Sequence, residues 1–100
     1  MAISRRLIAA LDFLGTDYCM RVIDGCECVY RDLGNGYDIE VCGFYCRRRN
    51  NIDIHVWQTE GAIRIVESVF GIASLPELKS KLDCLVAIYG RAEDGPIHQV

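Results

Sequence analysis

Residues 17–48, DYCMRVIDGCECVYRDLGNGYDIEVCGFYCRR, decide the fold. Apolar and polar side chains alternate along much of this stretch, and the alternation is broken at Asp24-Gly25 and at Gly34-Asn35-Gly36. A period of two sends successive side chains to opposite faces of a strand, and Asp-Gly or Gly-rich pairs supply the positive φ that tight hairpins require. The stretch therefore predicts antiparallel strands over residues 17–23, 26–33 and 37–48. Two further turn signals, Asn50-Asn51 and Glu60-Gly61, delimit strands over 52–58 and 62–70.

Outside the strands the period changes to that of a helix. Leu7, Ile8, Leu11 and Leu14 recur at helical spacing, with Ser4 placed to cap the N-terminus and Gly15 to stop the C-terminus. Ser74-Leu75-Pro76-Glu77 reads as a capping box, after which Leu75, Leu78, Leu82, Leu85, Val86 and Tyr89 share one face up to Gly90. The predicted fold is α+β: an antiparallel meander sheet of four to five strands, with an N-terminal and a C-terminal helix packed on one face. Residues 1–90 are expected to form a single domain. Residues 91–100, which contain Gly95-Pro96, are expected to be a flexible C-terminal tail.

Composition narrows the function classes. One hundred residues suffice for one core, and 51% hydrophobic with 25% charged residues excludes disordered and collagen-like chains. A net charge of −3 has the wrong sign for a general nucleic-acid binder. Ser4-Arg5-Arg6 followed by Leu7 to Leu11 has the look of a twin-arginine signal, but the apolar run ends at Asp12 without a small-residue cleavage site. No run reaches the roughly 18 residues of a membrane span, so a cytoplasmic location and no membrane contact are expected. The six cysteines (Cys19, Cys26, Cys28, Cys42, Cys46 and Cys84) include no Cys-x-x-Cys pair and are expected to be free thiols.

If each hairpin turn is tight, Cys26 faces Ile23, Cys28 faces Cys42, Arg49 faces Ile52 and Thr59 faces Ala62. One face then gathers Tyr18, Met20, Val22, Val29, Leu33, Tyr37, Ile39, Val41, Tyr45, Ile52, Ile54, Val56, Ile63, Ile65 and Val69, the predicted core. The other gathers Cys19, Arg21, Ile23, Cys26, Cys28, Tyr30, Cys42, Phe44, Cys46, His55, Trp57, Arg64 and Val66. Two short helices cannot cover both sides of five strands. The second face is therefore expected to be open and, being rich in aromatic side chains, to mark an association surface.

The same register places Cys46 opposite His55, with Asp53 on the same face, but nothing supplies an oxyanion hole, and no catalytic residue is assigned. Thiols spread over three flat strands span roughly 10 Å, too far for tetrahedral zinc, so neither a metal nor a cofactor is expected. Gly34-Asn35-Gly36 lacks the lysine of a phosphate-binding loop. Trp57 is expected to face Arg64 as a cation–π pair, and Arg47, Arg48 and Arg49 to sit at a hairpin tip.

The favoured reading is a non-catalytic module that binds a protein partner through Tyr30, Phe44, Trp57, Arg64 and Arg47 to Arg49, and that forms a homodimer. In size, mild acidity and lack of motifs the chain looks like the small inhibitors that phages and mobile elements encode against bacterial defence systems, anti-CRISPR proteins included. That resemblance implies action by occupying a partner's surface. The alternative is an RNA- or single-strand-binding domain that stacks bases on the sheet and holds phosphates with Arg47 to Arg49.

Overall fold

The computed structural model describes residues 4–44 and 52–90. The elements run α1 (Arg5–Leu14), β1 (Cys19–Ile23), β2 (Cys26–Asp32), β3 (Tyr37–Cys42), β4 (Ile52–Gln58), β5 (Arg64–Ile72) and α2 (Leu75–Tyr89). The five strands make one sheet in the order β1-β2-β3-β4-β5, every neighbouring pair antiparallel. The fold is the α+β meander with terminal helices that the alternation and the two helical periods predict. Tyr45, Cys46, Arg47, Arg48, Arg49 and the tail 91–100 lie outside the described residues.

Local chemistry sets the boundaries. Ser4 Oγ accepts the backbone N–H of Arg6 at 3.2 Å, and Gly15, at φ 93°, ends α1. Ser74 Oγ accepts the N–H of Glu77 at 3.2 Å while Glu77 Oε1 reaches back to the N–H of Ala73 at 3.2 Å, a capping box displaced by one residue. Asp24 and Gly25 both take positive φ, 52° and 80°, as the two-residue hairpin between β1 and β2 demands.

Both helices cover one face of the sheet. Val29, Ile39, Val41, Ile54 and Val56 point from that face into a cluster completed by Leu7 and Ala10 of α1 and Leu78, Leu82 and Leu85 of α2. All ten are at most 3% exposed. Burying side chains of this size contributes about 1.5–3 kcal/mol each.

Three expectations about register need correction. Between β3 and β4, His55 pairs with Glu40 and not with Cys46. The slip is six residues, an even number, so every side chain keeps its predicted face. Between β4 and β5, Gln58 pairs with Arg64, one residue off the predicted Thr59–Ala62 register, because the connection is wider than a tight turn. That single step turns Ile63 and Ile65 out of the core to 70% and 45% exposure. A register shift between Val56 and Trp57 adds a second step and returns Val69 to the core side, opposite Ile54.

The third correction concerns Phe44. Alternation from Cys42 puts it on the open face, but β3 stops at Cys42 and Gly43 takes φ 106°. The left-handed residue reverses the phase, so Phe44 turns under the helices and is 2% exposed. Its carbonyl accepts Ser4 Oγ at 3.1 Å and Arg6 Nη1 at 3.3 Å, tying the end of β3 to the start of α1. Val22, expected in the core, is 59% exposed on the edge strand β1.

Candidate functional site

The face opposite the helices is organised around Glu40. Alternation along β3 carries Asp38, Glu40 and Cys42 to this side because Ile39 and Val41 occupy the core. Glu40 is 9% exposed and has its charge held from two directions. The Trp57 indole Nε1–H on β4 donates to Oε1 at 2.8 Å. On the other side Oε2 accepts the Cys42 thiol at 3.0 Å and lies 3.7 Å from the Cys28 sulfur. The two sulfurs are 3.9 Å apart, one residue beyond the Val29–Val41 pair of β2 and β3.

In the absence of a cation this arrangement disfavours a free, nucleophilic thiolate. Burial, followed by the neighbouring charge of Glu40, pushes the Cys28 thiol up to about 11. Cys42 is also raised, by burial first and then by its hydrogen bond to Glu40. A cysteine nucleophile needs the opposite, a depressed pKa beside a base. Beside the cluster, the Tyr30 hydroxyl donates to Asp38 Oδ2 at 2.5 Å, and burial together with that bond raises Tyr30 to about 12. The Arg21 guanidinium stacks 4.1 Å above the Tyr30 ring.

These groups line a shallow depression of about 190 Å³, bounded by Arg21, Ile23, Tyr30, Asp38, Glu40, Trp57, Thr59 and Ile63. Toward β5 the surface becomes apolar: Ile63 is 70%, Ile65 45% and Phe70 67% exposed. Phe70 meets the edge of the His55 ring at 5.8 Å, and His55 Nδ1 is 2.8 Å from Ser68 Oγ. β5 is also an edge of the sheet, with one row of backbone groups unpaired by any strand among the described residues.

Of the residues expected at the site, Tyr30 and Trp57 share the open face and both line the depression. Phe44 does not, being part of the core. Arg64 pairs with Gln58 in register, with Nη2 3.5 Å from Oε1, and the residue facing Trp57 is Ile65. The cation–π contact on this face belongs to Arg21 and Tyr30 in place of Arg64 and Trp57. Arg47, Arg48, Arg49 and Cys46 lie outside the described residues.

Three residues that the sequence reading passed over matter here. Glu40 and Asp38 could have been found by extending the β3 alternation to its charged positions, since a carboxylate flanked by Ile39 and Val41 must face away from the core. Phe70 follows by the same logic from Val69. The described residues contain no helix long and apolar enough to cross a membrane. The chain matches no family model, no curated protein and no solved structure.

Proposed function

We propose that this chain is a non-catalytic protein-binding module that acts by occupying a partner protein's surface, and that it self-associates through the β4–β5 side of its open sheet face. The observation that carries the reading is the exposure of Ile65 and Phe70 on the edge strand β5, and of Ile63 just before it, next to the half-buried Trp57. Exposed apolar surface rimmed by polar groups is characteristic of association sites, and an open edge strand is a ready template for pairing with a second chain. Trp57 is held in place by Glu40 before any partner arrives, which reduces the ordering cost of binding.

The nucleic-acid alternative has weaker support, because the depression beside Tyr30 and Trp57 is lined by two carboxylates, Asp38 and Glu40, against one guanidinium. Those charges repel phosphates. Blockade of a bacterial defence protein, in the manner of the phage inhibitors that this chain looks like in size and charge, is the pathway-level form of the proposal.

Light scattering across a concentration series tests self-association. The wild-type chain should give the mass of a dimer, and Phe70→Ser with Ile63→Ser should return it to a monomer with an unchanged far-ultraviolet spectrum. Trp57→Ala should weaken the dimer by about 2–4 kcal/mol, as removal of a buried aromatic anchor does. A wild-type monomer at high micromolar concentration would overturn the reading.

A further inference from the structure

Cys28, Glu40 and Cys42 place one ligand atom each, two sulfurs and one carboxylate oxygen, within 4.8 Å of one another. We propose that these three side chains bind a divalent metal ion of the zinc type, with the fourth coordination position turned toward the open face.

The triangle has the dimensions of one face of a coordination tetrahedron. Zinc–sulfur bonds of about 2.3 Å and zinc–oxygen bonds of about 2.0–2.2 Å imply a sulfur–sulfur edge of about 3.8 Å and sulfur–oxygen edges of about 3.5–3.7 Å. The observed edges are 3.9 Å between the sulfurs, 3.7 Å from Cys28 to Glu40 and 3.0 Å from Cys42 to Glu40. Only the last must open, by about half an ångström, which side-chain rotation of the half-buried Cys42 can supply. Ligands dispersed over three flat strands, as expected from the sequence, would be too far apart to share one ion. Here all three stand on β2 and β3, with the two sulfurs in contact across the strands.

The surroundings match a metal centre in a second respect. Ligating carboxylates are generally oriented by a hydrogen bond to the oxygen that does not bind the metal, and Trp57 Nε1 makes that bond to Glu40 Oε1. The oxygen left over, Oε2, is the one aimed at the two thiols. Thiolates favour borderline and soft cations over Mg²⁺ or Ca²⁺, which fixes the class of ion. When the ion enters, each thiol releases its proton to solvent, so two charges leave as two arrive. The net charge of this largely buried cluster is unchanged.

Co²⁺ added to reduced, chelator-treated protein tests the site. The wild type should develop the visible bands of tetrahedral cobalt and the near-ultraviolet thiolate-to-cobalt transition, saturating at one equivalent and removed by Zn²⁺. Trp57 is the only tryptophan in the chain, so its fluorescence should fall over the same titration. Cys28→Ser and Cys42→Ser should each abolish the bands, Glu40→Ala should weaken binding at least tenfold, and Cys84→Ser, on the outer side of α2, should leave it intact. Trp57→Phe, which removes only the positioning hydrogen bond, should weaken it by about 10- to 100-fold. Should the serine variants fail to fold, Zn²⁺ protection of the wild type from alkylation still decides, because the two shielded thiols must map to Cys28 and Cys42. Absence of a thiolate-to-cobalt transition in the reduced wild type, or protection at other cysteines, overturns the proposal.

Discussion

The two faces of the sheet use the same five strands and alternate residues of the same sequence, yet they obey different rules. The helix-covered face is aliphatic almost throughout, and its contents are interchangeable in kind: Val29, Ile39, Val41, Ile54 and Val56 differ mainly in volume. The open face is heterogeneous, and each group has a particular partner: Trp57 with Glu40, Tyr30 with Asp38, Arg21 with Tyr30, His55 with Ser68. A face that only excludes water needs shape, whereas a face made of polar and aromatic pairs specifies geometry. The comparison implies that stability resides on the first, and the proposed recognition draws on the second.

The sharpest challenge to that division is a substitution on the covered face. Ile54→Ala, at a fully buried position between Val41 and Val69, should cost about 2–5 kcal/mol in urea unfolding. A value under 1 kcal/mol would mean that the covered face is not the stabilising one. Next in size is Gly43→Ala. Because Gly43 sits at φ 106°, where an alanine is strained, the substitution should destabilise by more than about 1 kcal/mol and loosen Phe44 from the core. A neutral result would show that the reversal of phase at Gly43 is not what buries Phe44.

Each face also carries one tyrosine clamped to a carboxylate, which permits a balanced comparison. Tyr89 on the helix side donates to Glu67 at 2.7 Å, and that bond, more than burial, raises it to about 12. Tyr30 reaches about 12 chiefly through burial. Both hold their protons more tightly folded than unfolded, so their contribution is fully present below pH 10 and is lost as pH rises from about 10 to about 12. Alkaline unfolding should therefore become less steep in either Tyr30→Phe or Tyr89→Phe, followed by circular dichroism. Equal steepness in both variants and the wild type would remove the tyrosines from the account. The smallest effect is expected for Ile63→Ser, within about 0.5 kcal/mol of wild-type unfolding stability when measured on the monomer.

Much of the architecture was legible because hairpin and capping chemistry is local. Asp24-Gly25 fixed the β1–β2 register, and Gly34-Asn35-Gly36 fixed that of β2 and β3, so that Cys28 and Cys42 face one another as expected. What escaped was anything dependent on counting through an irregularity. Gly43 reversed the phase before Phe44, and the wide β4–β5 connection moved Ile63, Ile65 and Arg64 to the opposite sides from those expected. The His55 misalignment was harmless to the faces only because six is even. It did hide one contact, however, since only the true β3–β4 register brings Trp57 of β4 beside Glu40.

The strictly sequential order of the strands bears on how the chain folds. Each strand pairs with its neighbour in sequence, and the first hairpin closes over only two residues, so the sheet can assemble by short loop closures. The helices are anchored differently: Ser4 reaches the carbonyl of Phe44 across 40 residues, and Asn35 reaches that of Tyr89 across 54. Ordering those contacts requires distant parts of the chain to meet after the strands have formed. Folding is thus expected to pass through a transition state in which the β2–β3 pairing is established and the helices are still undocked. Substitutions at Val41 should then slow folding, and those at Leu7 should chiefly speed unfolding.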